Sequence, residues 1–325
     1  DINIQYLPYT ENDSVFLELL FLPFHLLYFR FKGYKIFHLH WLYPFNLRNK
    51  YLSSIICVLY LKYIKLLGYK IVYTIHDLIP HDDIFLSNLF MIKYVLGLSD
   101  ANIALSKSTI DDIKKFYLKN YKLHLIPIGN YIEIYENNIT QKEAREKLNI
   151  NNNTFVFLFF GRIEPYKGVI TLINAFKSIS HKKIKLIIVG KCDNANLRNK
   201  IIKNINSNII LNLQYIPDRD IQIYFNSADI VVSPFQEITN SSTVLLAASF
   251  AKSLIAPKMG ALNDLPDTFC TFYDNKTKSL TEAMEEVINN KYLIKKRGKY
   301  AINYANNLAW KNIADRTFLL YKELI

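Results

Sequence analysis

The sequence predicts an α/β protein of two doubly wound, Rossmann-like domains with a crevice between them. Short β-rich runs alternate with helix-length segments along all 325 residues, the βαβ rhythm of parallel sheets. Runs such as "FVFLFF" and "KLIIVG" are apolar at nearly every position, as strands covered by helices on both faces must be. The length exceeds one ordinary core and suits two of roughly 150 residues.

In the first half the predicted strands are "DINIQYL" (1–7), "KIFHLHW" (35–41), "YKIVYTIHD" (69–77), "ANIALS" (101–106) and "KLHLIPIG" (122–129). In the second they are "TFVFLFFG" (154–161), "KIKLIIVGK" (183–191), "NIILNLQYI" (208–216), "ADIVVSPF" (228–235) and "SLIAPKM" (253–259). An Asn-rich polar stretch near 130–150 reads as the linker, with Thr140 and Glu143 spaced as a capping box. The domains are thus expected at 1–135 and 150–307, with a closing helix at about 308–325 packing back on the first. Ligands of such domains bind at the carboxyl ends of the strands.

Half the residues are apolar, 21% are charged, and the net charge is +12, so a folded chain with an anionic partner is expected. The basic residues are spread singly rather than in runs, which argues against nucleic acid. Cys57, Cys192 and Cys270 are far apart and fit neither a disulfide framework nor a zinc site, as in a reducing compartment. The opening "DINIQYLPY" lacks a basic start and an apolar block, so the chain is expected to stay in the cytoplasm.

The longest apolar stretch, "VFLELLFLPFHLLYF" (15–29), is interrupted by Glu18, Pro23 and His25 and is too short to span a bilayer. With Arg30, Lys32 and Lys35 after it, the stretch suits a helix seated on an anionic membrane surface. A buried helix with a basic end accounts for it equally well.

In "FFGRIEPYKGVITLINAF" a strand runs into Gly161, Arg162, Lys167 and a helix start. Two cations over a strand end and a helix N-terminus make an anion site whose natural occupant is a diphosphate. Spacing alone also allows two surface cations with Glu164 as partner. The segment resembles the Gly-Arg…Lys-Gly donor motif of the retaining nucleotide-sugar glycosyltransferases of family 4, which have the GT-B fold. The resemblance covers essentially the whole chain and is closest to the bacterial branch that builds capsular and exopolysaccharides.

That resemblance implies a hexosyltransferase moving a sugar from a nucleotide-sugar to a membrane-associated glycan or lipid-linked acceptor, with retention of configuration. It implies no metal or other cofactor, and a peripheral place at the inner face of the plasma membrane. Arg162 and Lys167 would hold the leaving diphosphate, and His76, in "YTIHD", would hydrogen-bond the donor sugar across the crevice. Gly190 and Lys191 would lie under the nucleotide, and the backbone around Tyr215 and Ile216 would meet the base. Glu237 would face the sugar hydroxyls, while Asn240, Ser241, Ser242 and Thr243 would form the turn that receives phosphate or sugar; helix capping explains these hydroxyls too.

The sequence departs from the family pattern at Ser242, at Leu246 in place of a second glutamate, and at Ala251 and Ser253 in place of Gly and Pro. These departures keep open a catalytically silent nucleotide-sugar-binding protein. A GT-B epimerase is a further alternative, although its acid/base carboxylates are not evident. His38 and His40 have the alternate spacing of a metal pair but no third ligand at a familiar spacing, and Asp218-Arg-Asp220 reads as N-capping of the next helix.

Overall fold

The computed structural model describes residues 3–5, 15–42, 45, 47, 49–78, 84–117, 120–238, 241–274 and 277–325. In chain order the elements are α1 (Val15–Phe31), β1 (Ile36–Leu39), α2 (Lys50–Leu66), β2 (Lys70–Ile75), α3 (Asn88–Leu98), β3 (Ala101–Ala104), α4 (Lys107–Tyr117) and β4 (Leu123–Leu125). They continue as α5 (Gln141–Lys147), β5 (Phe155–Phe160), α6 (Val169–Lys177), β6 (Ile184–Val189), α7 (Ala195–Asn204), β7 (Ile209–Asn212), α8 (Ile221–Ser227) and β8 (Ile230–Val232). The last are α9 (Ser242–Ser249), β9 (Ser253–Pro257), β10 (Cys270–Tyr273), α10 (Thr277–Asn289), α11 (Lys291–Asn306) and α12 (Trp310–Leu324).

The chain divides into two compact units, Asp1–Pro127 with Lys311–Ile325, and Ile128–Trp310. Unit 1 holds a parallel sheet in the order β1-β2-β3-β4. Right-handed crossovers in such an order put successive helices on one face, and Ile71, Tyr73 and Ile75 pack there with Cys57, Leu61, Met91 and Ile113 from the helices. The opposite face, presented by Val72, Ala101 and Ile103, is covered by Ile313 and Leu320 of α12.

Residues 3–5 form no strand, and the rest of the run predicted at 1–7 lies outside the described residues. Helix α1 buries Leu19 and Leu26 but exposes Leu20, Phe21, Phe24, Tyr28 and Phe31. Its inner edge is tied to α2 and the following loop by Tyr63 Oη donating to Pro23 O at 3.3 Å and Tyr69 Oη to Leu26 O at 2.7 Å. Among the described residues no helix is long and apolar enough to cross a membrane.

Unit 2 holds a six-stranded parallel sheet in the order β10-β9-β8-β5-β6-β7. The strand order reverses between β5 and β8, so crossovers leave in opposite directions and helices coat both faces. Phe157, Leu186 and Ile230 pack with α6 and α10 on one face, while Val156, Leu158 and Val231 pack with Phe225 of α8 and Ala247 of α9 on the other. Burial of both strand faces is why these runs are continuously apolar.

The stretch read as a linker, 130–150, belongs to unit 2. Thr140 and Glu143 form the capping box of α5, and Arg145 carries the helix inward, donating to Ser227 O at 3.0 Å and pairing with Asp229 at 2.9 Å. Buried tertiary partners for one arginine thus convert a polar segment into part of a core. Strand β10, absent from the sequence prediction, pairs with β9 at the sheet edge.

Candidate active site

The reversal of strand order in unit 2 leaves a gap beyond the carboxyl ends of β5 and β8, and glycines line it. Gly161, after β5, has φ +122, a conformation L side chains rarely adopt. A Cβ there would lie 3.1 Å from Thr243 Oγ1 and 4.0 Å from Lys167 Nζ, so bare backbone separates the first turn of α9 from the lysine. Gly190, after β6, is stacked so closely that a Cβ would lie 2.0 Å from Gly161 O. Gly168 (φ +71) closes the 3₁₀ turn Pro165–Lys167 and starts α6, with Pro234 O only 1.9 Å from where its Cβ would be.

This turn directs Lys167 inward. Its ammonium lies 5.2 Å from the centre of the Phe235 ring and 5.8 Å from that of Tyr166, within cation–π range. Burial holds its pKa below the ordinary lysine value, against the opposing pull of Glu164. Lys167 is therefore not the surface cation that spacing alone allows. Arg162 is, with its side chain 66% exposed: Nε pairs with Glu164 at 2.9 Å and Nη2 with Asp193 at 3.3 Å.

Lys191 pairs with the same Asp193 at 2.8 Å, and these contacts, Lys191's first, hold the Asp193 carboxyl below the usual range. Two exposed cations thus meet two carboxylates at the carboxyl ends of β5 and β6. Asp193 did not emerge from the sequence; its signal is a carboxylate two residues beyond Lys191 at the same strand end.

Ser241 is the N-cap residue of α9 but makes no side-chain capping bond, and its buried Oγ has no partner among the described residues. Capping by this hydroxyl is thereby excluded. Thr243 faces Gly161, and Ser242 hydrogen-bonds Tyr131, whose phenol is raised by burial against that bond. Asn240 lies outside the described residues. Glu237 is exposed, and Tyr215 is 71% exposed whereas the Ile216 side chain is in the core, leaving only its backbone for a ligand.

Leu246 is likewise a core residue of α9. Ala251 adopts φ +54, the left-handed conformation that favours the glycine of the family pattern. Ser253 is buried with its Oγ unpartnered among the described residues. Asp218-Arg-Asp220 forms a 3₁₀ turn, and the Asp220 side chain does not cap α8, a correction to the capping expected there: Asp220 has helical φ and ψ, whereas a capping side chain projects from extended backbone.

In unit 1, His40 and His76 follow the adjacent strands β1 and β2, and their Nδ1 and Nε2 atoms are 3.3 Å apart. Trp41 stacks on His76 at 3.9 Å, and His38 on His40 at 4.3 Å. Both nitrogens of His38 are engaged, Nε2 with Thr74 Oγ1 at 2.7 Å and Nδ1 with Tyr321 Oη of α12. Burial and mutual repulsion lower His38 to about 3 and His76 to about 4, so the rings are neutral near pH 7. Among the described residues no group of three His, Cys, Asp or Glu side chains could hold a metal ion. His81 lies outside them.

Two parallel α/β units, with a glycine-lined and cation-rich switch point in the second, define the GT-B class of glycosyltransferase folds. Residues 140–306, more than half of the chain, match the sequence model of the Glycosyl transferases group 1 family, and the chain belongs to that family.

Among curated relatives, the lipopolysaccharide 1,2-N-acetylglucosaminetransferase of Salmonella typhimurium is 28% identical over 224 residues, 63% of this chain and 58% of that protein. The GDP-mannose:glycolipid 4-beta-D-mannosyltransferase of Xanthomonas campestris is 24% identical over 231 residues, 69% of this chain and 61% of its own. The chain thus spans about three fifths of the length of these relatives.

Among solved structures, sucrose-phosphate synthase from Thermosynechococcus elongatus superposes with a TM-score of 0.79 at 19% identity, covering 97% of this chain and 80% of that one. Anabaena Alr3699/HepE in complex with UDP and glucose gives 0.72 at 15% identity, covering 98% and 84%. At these identities the likeness is one of fold.

Proposed function

We propose that the chain is a retaining hexosyltransferase of the family 4 type, which moves a sugar from a nucleoside-diphosphate sugar to a lipid-linked or polysaccharide acceptor in capsular or exopolysaccharide assembly. The observation that carries the reading is Lys167, a desolvated ammonium facing the bare backbone of Gly161. A half-buried charge costs stability unless an anion meets it, and a diphosphate at this strand end would meet Lys167, Arg162 and the N-terminus of α6 together.

The donor's C1–O bond to phosphate breaks as the acceptor oxygen bonds C1 on the same face, and the departing phosphate oxygen takes the acceptor's proton. Arg162, Lys167 and Lys191 balance the charge that grows on the diphosphate, so no metal or other cofactor is assigned. Gly190 admits the nucleotide, the Tyr215 and Ile216 backbone meets the base, and Glu237 with Asn240, Ser241, Ser242 and Thr243 binds sugar or phosphate. His76 hydrogen-bonds the sugar.

The relatives named for lipopolysaccharide and glycolipid substrates support a membrane-bound acceptor. The exposed apolar residues of α1, followed by Lys32 and Lys35, support peripheral attachment to an anionic leaflet on the cytoplasmic side.

The test is incubation with a panel of nucleotide-sugars, screened by thermal stabilisation and then by mass spectrometry. Slow release of free sugar and nucleoside diphosphate, suppressed in Arg162→Ala, is expected. Interconverted sugar-nucleotide would indicate an epimerase, and binding without turnover a silent binder; either refutes the transferase reading.

A further inference from the structure

The strands β1 and β2 run parallel with His38 opposite Val72. Side chains alternate along a strand, so His38 and His40 share a face with Thr74 and His76 of the neighbouring strand. The contacts follow this as two rungs: His38 Nε2 to Thr74 Oγ1, and His40 Nδ1 to His76 Nε2. The lower rung is anchored by Tyr321 of α12, His40 stacks on His38 with an interplanar angle of 27°, and Trp41 covers His76 at 15°.

Two neutral imidazoles can share a hydrogen bond only if one presents N–H and the other a bare nitrogen. The tautomers of His40 and His76 are therefore coupled. From this geometry we infer that His40 is a positioning residue that fixes the tautomer and ring plane of His76. Burial lowers the pKa of both rings, and for His76 repulsion from His40 adds to it, which favours the neutral donor–acceptor pair. The consequence for turnover rests on the proposed contact of His76 with the donor sugar; the coupling of the rings does not.

Two variants of the full chain separate these parts. His40→Phe keeps a stacked ring and removes the hydrogen bond, whereas His40→Asn sets an amide near the place of Nδ1. Imidazole nitrogen resonances should show His76 in the same tautomer in the native chain and in His40→Asn, and with a changed nitrogen pattern in His40→Phe. Turnover should fall about tenfold or more in His40→Phe with little change in donor KM, and largely recover in His40→Asn.

An unchanged His76 nitrogen pattern in His40→Phe overturns the inference. A changed pattern, together with undiminished turnover in His76→Ala, supports the coupling and overturns the assignment of His76 to the sugar.

Discussion

Lys167→Met removes one charge while keeping most of the side chain's length, and it should separate stability from ligand binding. Burial lowers the Lys167 pKa in the folded chain, so the unfolded chain holds that proton more tightly and the ammonium opposes folding at neutral pH. Glu164 already pairs with Arg162 at 2.9 Å, so the substitution leaves that carboxylate a partner. The unliganded variant should therefore melt no lower than the native protein.

A nucleoside diphosphate at 100 times its Kd stabilises the native protein by about 2.7 kcal/mol. For a unit the size of Ile128–Trp310, this is a rise in Tm of about 5–11 °C. A hydrogen bond to a charged group contributes about 1.5–3 kcal/mol, so the variant at the same ligand concentration keeps about 0.3–1.3 kcal/mol, a rise of about 1–5 °C. Turnover should fall about 100-fold, as when a transition-state charge loses one partner. Differential scanning calorimetry with and without ligand measures both melting changes. A variant that melts several degrees lower but keeps the full ligand-induced rise would make Lys167 a structural residue.

Gly168→Ala adds left-handed strain of about 1–2 kcal/mol and places a Cβ 1.9 Å from Pro234 O. It should lower the unit 2 melting temperature by more than about 4 °C, and an unchanged melting curve would contradict the turn geometry. His38 and His76 stand at about 3 and 4 against 6.5 ordinarily, so the unfolded chain takes up protons first as pH falls. Unit 1 should be unaffected above pH 6.5 and lose stability from there toward pH 4, by at most about 1.4 kcal/mol per pH unit and ring, less for half-buried groups. A unit 1 calorimetric transition that does not shift between pH 7 and pH 5 would argue against it. Lys32→Glu combined with Lys35→Glu should weaken cosedimentation with anionic vesicles, and added salt should release the native protein; equal binding to neutral vesicles would remove α1 from any membrane role.

Much of the candidate site is legible because it is local. Gly161, Arg162, Lys167 and Gly168 are close in sequence, and a strand, a tight turn and a helix start follow from their pattern alone. Ala251 shows the limit: as a residue type it reads as a departure from a glycine, yet its φ of +54 preserves the conformation a glycine would supply. The Arg162–Asp193 pair and the His40–His76 contact were out of reach because their partners come from neighbouring strands.

By itself the sequence determined the βαβ rhythm and the continuously apolar strands, since both express local periodicity and two-sided burial. It also determined the capping box at Thr140, whose partners are three residues apart. Only the tertiary structure decided that 130–150 belongs to unit 2, that β10 extends the sheet, which face of unit 1 the closing helix α12 covers, and that Lys167 is desolvated while Arg162 is not. Each of these depends on which distant groups exclude water or share a hydrogen bond, a property of chain packing that no local pattern encodes.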